Sequence, residues 1–508
     1  MLHSDHLSST CLGASLYSRY AHANAPLSRV AYPGAATMAA DDGLLFSPAT
    51  DLRAAIAARR LSPVELLDAI LARADAVEPK IHAFLSLDAD RAREAARAAE
   101  AAVVRGEPLG PLHGLPVSVK DLEPTRGLRT TYGSRFFAEY VPDFDGAVAG
   151  RLRAAGAVIF GKTNTPHVGH KDMCDNLLMP ATRNPWAVDR TSGASSGGAA
   201  AAVAAGVAPL AHGSDGAGSI RIPAALCGVY GLKPSFGRVP YWPNPDFWAA
   251  RSHNGPITRT VRDAALMLSV MAGVDPRDPM SLDVLPEDYV AACDDRPLAG
   301  RRVAWSADFG YAAVDPDVRR CTEAAAQRFA ELGCTVEAVD PGWDDPKPWA
   351  ELMWDSTMAG RLGERAHERP EWFEPTLLAM IEHGSSASAV QLARAQIART
   401  TFYEQARRFM AGYDLLLSPQ MPCVAWSYER WPSHIDGQPL ATMFDHLPFT
   451  FPFNLTGWPA ASVPCGFSPD GLPIALQIVA GRHQDALVLR ASAAFEALQP
   501  WAHARPPL

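Results

Sequence analysis

Serines in glycine-rich settings and lysines at the ends of apolar runs are the residues here with the types and spacing for chemistry. Gly193-Ala194-Ser195-Ser196-Gly197 has the G-x-S-x-G spacing of a nucleophile elbow, a strand-to-helix turn that exposes a serine hydroxyl for attack on a carbonyl. The stretch Trp186 to Ser192 has no β-branched run, so the strand such an elbow needs is poorly supported. His253, His383, His434, His446 and His483 lie downstream in no distinguishing context. Gly156-Ala157-Val158-Ile159-Phe160-Gly161-Lys162-Thr163 matches the phosphate-binding pattern G-x-x-x-x-G-K-[ST]. Its variable positions are apolar and favour a strand where the phosphate loop should be, and Pro166 stands where the helix should start. A strand with a structural Lys162 is the better reading, and nucleotide binding at Gly156–Thr163 is kept as an alternative function. A third pattern covers more chain. From Gly193 the sequence runs GASSGGAAAAVAAGVAPLAHGSDGAGSIRIPAALCG: a glycine/serine loop, an alanine helix, and a second glycine/serine loop through Gly216, Ala217, Gly218, Ser219, Ile220, Arg221, Ile222 and Pro223.

That segment closely resembles the defining segment of the amidase signature family, with Ala194 and Ala217 in place of the commoner glycines. The resemblance continues upstream in Gly114-Leu115-Pro116-Val117-Ser118-Val119-Lys120-Asp121 and Gly161-Lys162-Thr163-Asn164-Thr165-Pro166. Downstream it continues in Gly231 to Pro240 (GLKPSFGRVP) and Phe453 to Ala460 (FNLTGWPA). It covers roughly residues 50–500. It implies a single large α/β domain whose central mixed β-sheet is covered by helices, and a serine amidohydrolase with no cofactor and no metal. The family uses a Ser–cis-Ser–Lys triad, whose positions match Ser219, Ser195 and Lys120. The cis bond falls at Ala194–Ser195.

These roles have a physical basis. A serine hydroxyl is a weak nucleophile until a base takes its proton. The only histidines in the motif segments are His113 and His212, and His212 on its small-residue turn reads as a core histidine. A lysine serves as base only if burial and neighbouring dipoles favour the neutral amine. Ser195 would pass the proton between Ser219 and Lys120. The backbone N–H groups of Gly216, Ala217, Gly218 and Ser219 would form the oxyanion hole, small residues admitting a close approach of the substrate carbonyl. Ser196 is given a supporting hydrogen-bonding role. Asp215 and Arg221 are expected as an ion pair shaping the nucleophile loop, and Asp121 as an ordering residue or a solvated turn residue.

The elements that must place these residues alternate between strand and helix. Ser62-Pro63-Val64-Glu65 reads as an N-cap, a proline at N1 and a capping-box glutamate. Val64, Leu67, Ile70, Leu71 and Ala74 follow at helical spacing. A surface helix is expected over Ala89 to Arg105, a short strand from Leu115 ending at Lys120-Asp121, a helix over Asp145 to Ala155 and a strand over Ala157 to Phe160. A strand around Val303, a helix over Asp317 to Leu332 and a strand over Thr335 to Val339 continue the pattern. This is α/β alternation. A single domain over residues 41–508 with a variable insertion near 280–400 fits better than three separate units. Residues 1–40, with Asp5 as their only acid, read as a disordered leader or as sequence upstream of a true start at Met38.

Composition excludes several classes. The 508 residues are 48% hydrophobic and 20% charged, enough for a large core without staples. A net charge of −9 argues against nucleic acid as the main partner. No apolar run approaches a membrane span. The eight cysteines, Cys11, Cys174, Cys227, Cys293, Cys321, Cys334, Cys423 and Cys465, form no C-x-x-C pair and read as reduced thiols of a cytoplasmic protein. The expected partner is a small-molecule amide or carbamate, an aryl amide among them, and a homodimer is compatible with the chain. Tyr132, His167 to Asn176, Tyr241-Trp242, Phe247-Trp248 and Trp426 to Trp458 are aromatic-rich candidates for the pocket wall, with core packing equally open to them. The rival within the fold is the A-like component of glutamyl-tRNA amidotransferase, which works with a partner. Its polar Ser-Thr-Glu-Asn run is replaced here by His170-Lys171-Asp172-Met173-Cys174-Asp175-Asn176.

Overall fold

The computed structural model describes residues 42–246, 251–284, 286–294 and 297–508. The proposed leader, residues 1–40, and the aromatic pair Phe247-Trp248 lie outside the described residues.

Local chemistry explains the first elements. Ser62 Oγ accepts the N–H groups of Val64 and Glu65, and the Glu65 carboxylate reaches back to the Ser62 N–H, so the helix Pro63–Ile81 begins with a complete capping box. Leu66, Leu67, Ile70, Leu71 and Ala74 form its buried face, while Val64 is half-buried. The helix Ala89–Arg105 buries Ala92, Ala96, Ala99 and Val103, a stripe at steps of three and four. The helix expected over Asp317 to Leu332 begins behind the Asp315 cap, runs Pro316–Gln327, and tightens into a 3-10 turn at Arg328–Ala330.

One eleven-stranded sheet organises the molecule. From one edge it runs Phe84–Leu87, Val158–Thr163, Pro116–Lys120, Leu210–Asp215, His253–Thr258, Tyr230–Lys233, Ala460–Phe467, Pro473–Ala480, Leu415–Pro419, Arg302–Trp305 and Thr335–Ala338. Pro116–Lys120 pairs in parallel with both of its neighbours, whereas the middle of the sheet is antiparallel, so the sheet is mixed. A single domain with helices flanking this sheet is the architecture. The helices Lys347–Glu368, Pro375–Ser386 and Ala389–Met410 follow one another along the chain, and the first packs against the other two. A small apolar cluster of Met358, Leu362, Phe373, Leu377 and Ile381 lies beneath the first two, separate from the main core.

The register matters for the site. Lys120 lies opposite Thr163, and Val119 lies opposite both Lys162 and His212. The C-terminal ends of three parallel strands therefore meet at one edge of the sheet, the place where α/β sheets hold their ligands.

Candidate active site

The helix Gly197–Ala204 is buried along its whole length. Its small side chains let it press against neighbouring backbone. A Cβ at Gly198 would stand 2.5 Å from the Asn164 nitrogen and from the Ala83 oxygen, so only glycine is admitted there. The chain enters this helix through a turn at Ala194, whose φ is +44°. A side chain in the left-handed region costs about 1–2 kcal/mol. The Ala194 N–H donates to the Asp172 carbonyl oxygen at 2.5 Å. The expected cis bond is not found: Ala194–Ser195 is trans, and among the described residues the cis peptide is Trp242–Pro243. The turn that aims Ser195 is made by the φ of Ala194 instead.

Ser195 and Lys120 come together as expected. Lys120 is fully buried, and its Nζ lies 2.7 Å from Ser195 Oγ, 2.8 Å from Ser196 Oγ and 3.1 Å from the Ser214 carbonyl oxygen. Ser196 also donates to the Ser214 oxygen at 3.1 Å and accepts the Ser214 N–H at 3.2 Å. Burial lowers the Lys120 pKa from the ordinary lysine value of 10.5 to about 7, against the opposing pull of Cys174 and Asp215.

Ser219 lies on the second loop, 9% exposed, and its Oγ accepts the Ser195 N–H at 3.3 Å. Among the described residues no hydroxyl-to-hydroxyl bond joins the two serines. Asp215 and Arg221 form the expected ion pair, both fully buried, at 2.9 Å for Nε and 3.0 Å for the second nitrogen. Burial pushes the Asp215 carboxyl up, but the Arg221 guanidinium outweighs it and holds the group well below the usual carboxylate range. The Asp215 carboxylate also accepts the Gly218 N–H at 2.7 Å and the Ile220 N–H at 3.2 Å. The Gly218 N–H, expected among the oxyanion donors, is therefore committed to Asp215.

Distant residues complete this loop. Asn454 Nδ2 donates to the backbone oxygen and to Oδ1 of Asp215, each at 2.8 Å, while Arg221 donates to Asn454 Oδ1 at 2.7 Å and to Gln477 Oε1 at 2.8 Å. Thr450 Oγ1 donates to the Ala217 oxygen at 2.6 Å. From sequence, Thr450 and Asn454 stood out only as members of the Trp426 to Trp458 stretch, Asn454 also within the FNLTGWPA run, and Gln477 carried no assignment.

A cleft opens beside Ser195, with about 870 Å³ of empty space counting its open mouth. Tyr132, Val168, Gly169, Tyr241, Trp354 and Arg361 contribute to its wall. Of the aromatic candidates, Tyr132 and Tyr241 do line the cleft. Trp242 instead packs on Phe144, Trp426 packs on His446, and Trp458 is core beside Tyr403. Trp354, on the helix Lys347–Glu368, was not anticipated; its indole N–H donates to the His170 oxygen at 3.1 Å.

The remaining candidates are structural. Gly156–Thr163 carries the strand Val158–Thr163, with all six of its residues buried and Lys162 turned to the Glu123 oxygen and Thr125 Oγ1, so no phosphate loop exists and the nucleotide-binding alternative falls. A strand does precede Ser195, at Ala187–Thr191, but it pairs with Arg183–Asn184 outside the main sheet and does not build an elbow. Asp121 orders its loop: its carboxylate accepts the Thr131 N–H at 2.8 Å and hydroxyl at 2.5 Å. His212 is a buried core residue 3.1 Å from Asn254 Oδ1, and burial lowers its pKa to about 3. Among the described residues no group of three or more His, Cys, Asp or Glu is arranged to hold a metal, and no helix is long and apolar enough to cross a membrane.

The Amidase family model matches residues 65–489. The chain belongs to the amidase signature family. An acylamidase of Rhodococcus erythropolis is 39% identical over 477 residues, covering 92% of this chain and 98% of that protein. The A component of a glutamyl-tRNA(Gln) amidotransferase of Roseiflexus castenholzii is 37% identical over 479 residues, covering 90% of this chain and 96% of that protein. The crystal structure of a bacterial aryl acylamidase of the amidase signature family superposes with a TM-score of 0.85 at 32% identity, covering 90% of this chain and 97% of that one. Like its hydrolase neighbours in the amidase signature family, this protein is an amide-cleaving hydrolase.

Proposed function

We propose that the protein works alone in the cytoplasm as a serine amidohydrolase, with Ser219 as nucleophile, Ser195 as proton bridge and Lys120 as base. The observation that carries this reading is the surroundings of Lys120. Ser196 has one proton, which it gives to the Ser214 oxygen, so it must accept from Lys120. The Ser214 oxygen accepts from Lys120 as well. A neutral amine has two protons and one lone pair. With both protons committed, the lone pair is left for Ser195 Oγ at 2.7 Å.

In the reaction, the Ser219 hydroxyl swings from the Ser195 N–H onto the Ser195 hydroxyl. Its oxygen attacks the amide carbon as its proton passes to Ser195 and the Ser195 proton passes to Lys120. The oxyanion is held by backbone N–H groups of the 216–219 loop. The proton then returns through Ser195 to the leaving nitrogen as the C–N bond breaks, giving an acyl-Ser219 enzyme and free amine or ammonia. Water, deprotonated by the same path, releases the acid. The aromatic cleft and the acylamidase relatives support aryl amides as substrates, with carbamates next.

Incubation with a fluorophosphonate probe and mapping of the adduct by mass spectrometry tests the assignment. The expected label is on Ser219. A label on Ser195 would overturn it. The amidotransferase relatives support a second reading, in which a partner is needed. Hydrolysis of a neutral anilide by the purified chain alone would decide against it.

A further inference from the structure

A second buried polar cluster meets the turn that carries Ser195, and the proton path through Lys120 does not use it. His446 and Asp172 are 1% and 2% exposed, and His446 Nε2 makes a short hydrogen bond to Asp172 Oδ2. A carboxylate only accepts, so Nε2 carries the proton. Trp431 Nε1 donates to the other oxygen, Asp172 Oδ1, at 2.7 Å. Asp172 is thus held on both carboxylate oxygens, and its backbone oxygen accepts the Ala194 N–H at 2.5 Å.

The same network grips the turn a second time. The His446 ring packs edge-on against Trp426, with ring centres 5.1 Å apart. The Trp426 oxygen accepts the Thr191 N–H at 2.8 Å, and Thr191 Oγ1 accepts the Gly193 N–H at 3.1 Å. Four residues beyond His446, Thr450 holds the Ala217 oxygen of the other serine loop. One short segment, 443–450, is therefore connected to both serine loops.

We propose that Asp172 and His446 are positioning residues for acyl transfer. Through the Asp172 backbone oxygen they keep Ala194 in its left-handed conformation. That conformation sets the Ser195 N–H on Ser219 Oγ and Ser195 Oγ on Lys120. The inference rests on the assignment of Ser219, Ser195 and Lys120 above. Neither Asp172 nor His446 touches substrate; each acts through the Ala194–Ser195 turn.

The test compares His446→Gln, whose amide N–H can replace the Nε2 donor, with His446→Leu, which fills the space without a donor. Each is read by the rate of fluorophosphonate labelling at Ser219 and by kcat and KM on an anilide. Displacing a reacting group by about 1 Å can cost on the order of a hundredfold. In His446→Leu, labelling rate and kcat should fall together by about tenfold or more, with KM within about twofold. His446→Gln should recover most of that loss. Equal impairment of the two variants, parental rates in His446→Leu, or failure of both to fold would overturn the proposal, because His446 would then be a packing residue or dispensable. Labelling of the parent protein at a residue other than Ser219 would instead overturn the underlying assignment, whatever the variants did.

Discussion

Lys120 and Lys162 sit on adjacent parallel strands, one register step apart, and both are fully buried. Burial lowers the pKa of each. Their partners separate them. Lys162 meets the Glu123 backbone oxygen and Thr125, within the field of the Asp121 and Glu123 carboxylates, which pull its pKa back up. Burial in turn raises the Glu123 carboxyl, and that carboxylate accepts the N–H groups of Val148 and Ala149 at the start of the helix Ala147–Ala154. Lys120 touches hydroxyls and a carbonyl but no carboxylate. Desolvation alone makes a lysine reluctant to be charged; what surrounds it decides whether that reluctance is partly offset by nearby carboxylates or is available as basicity.

The largest expected effect lies at the end of the proton path. Ser219→Ala should lower amide turnover by about 10⁴-fold or more, since members of a catalytic unit fail together. Turnover near the parental rate in a fluorogenic amide assay would remove the reason for treating Lys120 as a base at all. Lys120→Met should cost on the order of 10²–10⁴-fold in kcat, the usual range for a positioned acid or base. Lys162→Met should keep kcat within about tenfold, yet lose about 1–3 kcal/mol of stability in urea titrations, because it removes a donor from two buried oxygens, the Glu123 carbonyl and the Thr125 hydroxyl. An equal loss of activity in the two methionine variants would break the contrast between the lysines.

Smaller effects would sharpen it. The base form of Lys120 predominates above its pKa, so kcat/KM should climb with pH on a limb centred near 7. Lys162→Met should keep that limb. Stability should follow the same group. Its folded pKa of about 7 lies below its unfolded value near 10.5, so the unfolded chain binds the extra proton between them. The Lys120 contribution to stability is therefore present above the upper value and is lost as pH falls toward 7. Thermal melts across that window should be flatter in Lys120→Met than in the parent.

The parts of the site that could be read from the chain are those written in short stretches. The Ser62 capping box, the buried strand ending at Lys120, the alanine helix and the Asp215–Arg221 pair each depend on residues within a few positions of one another. The parts that escaped come from far along the chain. Thr450, Asn454 and Gln477 reach the loop that carries Ser219 from more than 230 residues away. Asp172 and His446 meet across 274 residues. Trp426 and Trp458 look in sequence much like Tyr132 and Tyr241, and only packing divides them into core and cleft wall. The direction of the Gly218 N–H depends on a loop conformation that composition alone does not specify.

Sequence alone determined which residues meet the steric demands of the site: glycine where backbones press within 2.5 Å of a would-be side chain, alanine along a helix with no exposed face, serines on the loops at either end. Those demands are local, because a tight turn or a close approach is set by the few atoms next to it. The tertiary structure decided the surroundings of Lys120 against those of Lys162, the commitment of the Gly218 N–H to Asp215, and the grip on Ala194. Those depend on solvent exclusion and on the sum of charges and hydrogen bonds contributed by several distant segments, and such sums exist only once the chain has folded.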